Sequence, residues 1–112
     1  MRQDESALLD IARAARLIVE FKKGTDKSAM QRDIKTQSAI LHQLMVMGEA
    51  VKRLSSSFRD RYPDIPFSLI AGMRDKLIHG YDIVDLEQVW KTADLDVPEL
   101  LAALESLLPK EE

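Results

Sequence analysis

The chain contains no cysteine, few aromatic residues and no long apolar run, and each absence excludes a class of protein. Without cysteine, neither a disulfide framework nor a thiolate metal site can form. No apolar stretch approaches the roughly 20 residues that a membrane-spanning helix needs. Aromatic residues make up 5% of the chain, and four glycines and four prolines are too few for the turns of an all-β domain.

What remains is a chain suited to helix packing. Its 112 residues predict one domain over 1–112, and a hydrophobic content of 46%, rich in Leu, Ile, Ala and Met, is enough for a core. The first residues lack the basic start and apolar stretch of a signal peptide. We therefore expect a cytoplasmic protein with no membrane partner.

Charge is distributed unevenly along the chain. The net charge is −3, but residues 92–112 carry one Lys against six acidic residues, so residues 1–91 have fifteen basic against thirteen acidic residues, a net of +2. Such a body can present a local phosphate-binding patch. The balance does not favour tight, sequence-independent binding of nucleic acid.

Apolar periodicity predicts an all-α fold, a bundle of four to five helices. Asp4 or Ser6 is a candidate N-cap for the first helix, Gly24 is its expected end, and Asp85 with Gln88 forms a capping-box pattern further on. The predicted helices cover about 5–23, from 28 or 33 to 58, 67–78, 86–93, and from 96 through 108.

The second predicted helix is apolar over more than half of its circumference, so we expect neighbours on two sides, either within the subunit or from a partner chain. Gly48 lies in its middle, where glycine costs about 1 kcal/mol relative to alanine. Either Gly48 permits the close approach of another backbone, or it is a tolerated neutral glycine.

The stretch from Arg74 to Tyr81 combines groups that can act on RNA. The imidazole of His79 can move a proton near neutral pH, and the guanidinium of Arg74 can stabilise charge on a phosphate. In a regular helix the two residues point about 140° apart. Either the helix loosens at Gly80, or two copies meet across a two-fold axis and build one composite cleft.

The order Arg74, four residues, His79, one residue, Tyr81 resembles the signature of HepT-like toxins within the HEPN superfamily. Three further segments resemble that family, at 47–50 (Met-Gly-Glu-Ala), at 63–67 (Pro-Asp-Ile-Pro-Phe) and at 89–100 around Val-Trp and Asp-Val-Pro-Glu-Leu. The likeness spans nearly the whole chain, and one departure is Phe67, where the family usually has Trp.

The resemblance implies a HEPN-type bundle that forms a two-fold homodimer and acts as a metal-independent RNA endonuclease, the toxin of a toxin–antitoxin pair. Carried over by position, Arg74 and His79 are the catalytic pair and Asp75 is a supporting residue. His79 would assist deprotonation of the ribose 2′-OH or protonation of the leaving 5′-oxygen, and the product would carry a 2′,3′-cyclic phosphate.

The resemblance also implies a partner, a small MntA-like nucleotidyltransferase antitoxin that transfers AMP from ATP onto Tyr81. AMP on this phenol would add negative charge and bulk where a substrate phosphate must lie. An alternative function is a non-catalytic helical adaptor that binds a nucleotidyltransferase. A third possibility, that the chain is itself the antitoxin, is disfavoured because it lacks a Gly-Ser turn with paired aspartates.

Two further polar residues have open roles. Glu49 lies among apolar residues, where it either orients Arg74 or His79 or satisfies a buried polar contact. His42 lies seven residues earlier, on nearly the same side of the helix. With no cysteine and two histidines, a metal site would need mostly carboxylates, so we predict neither a metal nor another cofactor.

Overall fold

Helices make up nearly all of the computed structural model, which describes the backbone of residues 2–79 and 85–108 and the side chains of 3–77 and 85–108. No strand occurs in these ranges, so the all-α prediction is confirmed. The predicted count of four to five helices is too low, because these ranges contain seven α-helices and the second predicted helix is divided at residue 33 and at residues 53–55. A π-helical turn, Thr92–Asp96, joins the last two helices without a break. The helices are α1 (Arg2–Lys22), α2 (Lys27–Arg32), α3 (Ile34–Lys52), α4 (Ser56–Arg61), α5 (Phe67–His79), α6 (Leu86–Lys91) and α7 (Val97–Glu105).

Helix α3 is central, because it packs against α1 on one side and against α5 on another, while α1 also contacts α7. This arrangement confirms that α3 has neighbours on two sides. The apolar core lies mainly where α1, α3 and α7 meet. None of the described helices is long and apolar enough to cross a membrane. Fully buried core side chains include Leu8, Ile11, Ile18, Ile40, Leu44, Met47, Leu100 and Leu104.

The prediction of one helix running to Phe58 is wrong, because α3 ends at Lys52 and α4 begins at Ser56. Ser55 is the N-cap of α4, and its side chain accepts a hydrogen bond from the backbone N–H of Phe58 at 3.1 Å. The Asp4 carboxylate also accepts from Ser55, at 2.8 Å from the backbone N and 2.9 Å from Oγ. The chain therefore turns where these two polar groups meet.

Asp4 has a different role from the one predicted. Helix α1 already begins at Arg2, so neither Asp4 nor Ser6 is its N-cap. Asp4 is instead 4% exposed and ties α1 to the start of α4. The hydrogen bond from the Ser55 backbone lowers the pKa of this carboxyl, and the Ser55 hydroxyl lowers it further.

Most of the other predicted helix boundaries are confirmed. Gly24 has a φ of +74° and follows the end of α1, a conformation that favours glycine. Asp33 and Asp85 are N-caps whose side chains accept backbone hydrogen bonds. The Gln88 side chain, which would complete the capping box by accepting from the Asp85 backbone N–H, is directed along the helix, where its Nε2 donates to Thr92 Oγ1 at 3.3 Å. Trp90 is half-buried beneath Lys22, whose Nζ lies 5.0 Å from the ring centroid.

Candidate functional site

Helix α5 crosses α3 in close contact at Gly48. A Cβ added at this glycine would lie 2.2 Å from Cβ of Arg74 and 3.2 Å from the backbone oxygen of Ile70. Real Cβ atoms essentially never approach so closely, so the crossing requires glycine here. Of the two interpretations of Gly48, the close approach is therefore correct, and it sets Arg74 directly against α3.

Two carboxylates hold the guanidinium of Arg74. Its Nη2 lies 2.8 Å from Oε2 of Glu49 on α3, and its Nη1 lies 3.1 Å from Oδ1 of Asp75 on α5. The same Asp75 oxygen accepts from Nζ of Lys52 at 2.5 Å. Glu49, Arg74, Asp75 and Lys52 thus form a chain of alternating charges that joins the two helices and has no net charge.

This network orients side chains more than it stabilises the fold. The side chain of Arg74 is 24% exposed, whereas those of Glu49 and Asp75 are 56% and 45% exposed. Ion pairs at such exposed positions contribute about 0–1 kcal/mol each. Their effect is to fix the planar guanidinium, which has the geometry to bind a phosphate through paired N–H groups.

Asp75 is an acceptor in this arrangement. The hydrogen bond from Lys52, and then that from Arg74, hold the pKa of its carboxyl below the ordinary value. Asp75 is therefore ionised at neutral pH and has no proton to donate there. The structure brings Asp75 and Glu49 together with Arg74. Of the two interpretations of Glu49, the structure favours the one in which Glu49 orients Arg74.

His79 and Tyr81 belong to the motif but lie at the limit of the described residues. The backbone of α5 is helical through His79, so five helical steps separate it from Arg74, which corresponds to about 140° of rotation and 7.5 Å along the axis. The His79 side chain, and the whole of Gly80 and Tyr81, fall outside the described residues. Their roles stay predictions.

A shallow cavity of about 340 Å³ adjoins Arg74 on the outer face of α3. Sequence reasoning did not identify this cavity. The α3 residues that line it are spaced i, i+3, i+4, i+7, so they lie on one side of the helix. This spacing could have indicated the cavity from the sequence. The lining residues are His42, Met45, Val46, Glu49 and Arg74.

Two other features of the described residues do not belong to the Arg74 site. Among residues 3–77 and 85–108, no three His, Asp or Glu side chains converge in a way that could hold a metal ion. A second cavity of about 370 Å³ lies between α4 and the start of α5, where Arg59, Tyr62 and Phe67 are among its lining residues. Arg74 does not line it, so it is separate from the motif.

Comparison with known proteins gives consistent matches. The family model described as "Ribonuclease HepT-like" matches residues 11–107. The "Probable ribonuclease HepT" of Thermococcus cleftensis is 41% identical over 95% of this chain and 96% of its own length. A "Putative RNase" of Methanocaldococcus jannaschii is 38% identical over 96% of this chain and 92% of its own length. We found no match to the chain among solved structures.

Proposed function

Since the chain belongs to the HepT-like ribonuclease family, we propose that it cleaves RNA with Arg74 and His79. The observation that carries this proposal is the fixed guanidinium of Arg74. It is placed by the helix crossing at Gly48 and held by Glu49 and Asp75, next to an open cavity. An arginine held in this way is prepared to receive a phosphodiester.

The proposed reaction is an internal transesterification at one phosphodiester. The ribose O2′ attacks phosphorus, the bond from phosphorus to O5′ breaks, and a 2′,3′-cyclic phosphate forms. His79 takes the proton from O2′ or gives one to O5′. Arg74 stabilises the charge of the pentacoordinate phosphate. The protein supplies these steps with side chains alone, so no metal is part of the proposal.

Glu49 positions Arg74 in this scheme. It reaches the guanidinium from α3, whereas Asp75 reaches it from the same helix as Arg74 itself. Anchoring from both helices restrains the direction of the long arginine side chain, and a displacement of about 1 Å at such a site can cost 10²-fold in rate. Lys52 in turn holds Asp75 in place.

We propose that the active unit is a two-fold homodimer. Among the described residues, helix α5 packs mainly on α3 and its other side is uncovered: Leu69 is 56% exposed, and no described atom lies within 4 Å of a Cβ added at Gly72. A second copy packed there would bring two motif helices together. Because Arg74 and His79 differ by about 140° in helical phase, each cleft would combine Arg74 of one subunit with His79 of its partner.

The proposed biological role is that of a toxin controlled by an MntA-like nucleotidyltransferase antitoxin, which transfers AMP to Tyr81. The support is the order of Arg74, His79 and Tyr81 in the sequence. An added AMP would carry negative charge close to the guanidinium that must bind RNA. Co-expression with a competent antitoxin should yield AMP on Tyr81 by mass spectrometry and none on the Tyr81→Phe variant. Finding no AMP on the wild type would overturn this part.

The test of ribonuclease function is expression without the partner, followed by assays of the purified chain on RNA. We expect growth arrest and cleavage that are both lost in Arg74→Ala and in His79→Ala. Lys35→Ala is the control, because Lys35 is an exposed cation near the start of α3, away from the motif helix. A harmless wild type without cleavage would support the non-catalytic adaptor instead.

A further inference from the structure

The cavity beside Arg74 contains groups that the proposed bond cleavage does not use. Met45 and Val46, both half-buried, line it together with the exposed His42, which comes first along α3. Glu49 and Arg74 also line it, and Glu49 comes seven residues further along α3, which corresponds to about 10 Å. One stripe of the helix thus leads from an imidazole over apolar side chains to a guanidinium.

We propose that this cavity is a base-binding subsite, which takes the nucleobase of the nucleotide whose phosphate contacts Arg74. The proposal rests on the proposed ribonuclease function and extends it to the substrate. A phosphate at Arg74 leaves its nucleoside to lie along the outer face of α3. His42 then offers a planar ring on which the base stacks.

The chemistry of the lining matches a nucleotide. Single-stranded RNA is recognised by stacking of unpaired bases on rings that include histidine, and by hydrogen bonds to base edges. Met45 and Val46 supply apolar contact for the face of a base. Arg74 contacts Oε2 of Glu49, whose side chain is 56% exposed, and an ionised carboxylate has about four acceptor positions on its two oxygens. It can therefore accept a hydrogen bond from a base amino group.

Size and position also favour a nucleotide over a larger occupant. About 340 Å³ is near the lower end of ligand-pocket volumes, roughly 300–1,000 Å³, and matches a small planar ligand better than a helix. The cavity is continuous with the Arg74 guanidinium, which binds phosphate groups well. A side chain from a second copy is the competing occupant, and the experiment below separates the two.

The experiment measures binding, not cleavage. The full chain is titrated with uridine 5′-monophosphate, adenosine 5′-monophosphate, ribose 5-phosphate and inorganic phosphate, and the amide resonances are followed by NMR. We expect at least one nucleotide to bind about 5- to 10-fold more tightly than ribose 5-phosphate, in line with the effect of stacking one base. Shifts should concentrate on residues 42–49.

Three variants make the test specific. His42→Ala should bring nucleotide and ribose 5-phosphate to similar affinities, and His42→Phe should restore the preference because it keeps a planar ring. Gln43→Ala, a change at the next residue of α3 that does not line the cavity, should keep the wild-type preference. Thermal unfolding checks that all three variants fold.

Each outcome bears on one proposal. Equal affinity of nucleotides and ribose 5-phosphate in the wild type, or a preference that survives in His42→Ala, overturns the subsite, as does the absence of any nucleotide binding. If His42→Ala instead weakens self-association in analytical ultracentrifugation and leaves binding unchanged, a second copy occupies the cavity. A base-dependent preference in a chain that cleaves no RNA would retain the subsite and overturn the ribonuclease.

Discussion

The two faces of α3 differ sharply, although they belong to one helix of 19 residues. One face buries Ile40, Leu44 and Met47 almost completely in the core. The opposite face carries the half-buried Met45 and the ion pair from Glu49 to Arg74. The core face determines the stability of the fold, and the outer face determines where Arg74 points. A helix that is apolar over more than half of its circumference can thus pack into a core on one side and carry the candidate site on the other.

The largest expected effect is a difference in the free energy of unfolding between variants on the two faces of α3. Leu44→Ala removes a side chain that is 2% exposed, so it should reduce the free energy of unfolding by about 2–5 kcal/mol. Met45→Ala, one residue further on the outer face, should cost less than half as much because Met45 is only half-buried. Urea unfolding of both variants checks this. Equal losses would contradict the division of α3 into two faces.

The next effect concerns the helix crossing. Gly48→Ala would put a Cβ 2.2 Å from Cβ of Arg74, so the helices must separate. We expect a loss of about 1–3 kcal/mol in stability, together with a clear loss of RNA cleavage. Ser38→Ala, at an exposed position of the same helix α3, is the control, and it should leave both the stability and RNA cleavage nearly unchanged. A fully active Gly48→Ala would show that the crossing distance does not matter for the site.

A smaller, pH-dependent effect on stability is expected at Asp4, which is buried where α1 meets the start of α4. The pKa of Asp4 is lowered in the folded chain, so its contribution is present above the ordinary carboxyl pKa and is lost as pH falls through the folded value. Asp4→Asn should therefore cost about 1–2 kcal/mol at pH 7. The difference in unfolding free energy between Asp4→Asn and the wild type should become smaller below about pH 4, as measured by urea unfolding across pH. A gap that is constant with pH would contradict this role.

The smallest effect on stability belongs to the outer face. Glu49→Gln should change the free energy of unfolding by less than about 1 kcal/mol, because the Glu49 side chain is 56% exposed. RNA cleavage should nevertheless fall about tenfold, since Arg74 loses its anchor on α3. Glu87→Gln is the control, because it removes an exposed carboxylate that pairs with Lys27 and does not belong to the Arg74 network. Unchanged cleavage in Glu49→Gln would show that Glu49 does not position Arg74.

The helical fold could be predicted from the sequence because its signals are local. Apolar periodicity predicted α1, α3 and α5, and short-range capping by Asp85 predicted the start of α6. The break before α4 was missed because it depends on a contact between Asp4 and Ser55, which are 51 residues apart. Leu54 continues the apolar pattern through the break, so the periodicity alone predicted one long helix.

The candidate site was only partly predictable. The spacing of Arg74, Asp75 and His79 identified the motif, and Glu49 was expected as a possible partner of Arg74. The role of Lys52 could not be predicted, because its contact with Asp75 depends on how α3 and α5 cross. Likewise, the half-buried position of Met45 could not be predicted from apolar periodicity, because the packing of the helices leaves this residue among those that line the cavity.

A mixing experiment tests whether one cleft takes Arg74 and His79 from different subunits. Arg74→Ala and His79→Ala chains are each inactive alone under this account. Mixed and re-equilibrated, they should regain about a quarter of wild-type cleavage, because about half of the dimers are mixed and each has one intact cleft. Native mass spectrometry verifies that mixed dimers form. If they form and cleavage stays absent, the two residues do not combine across subunits.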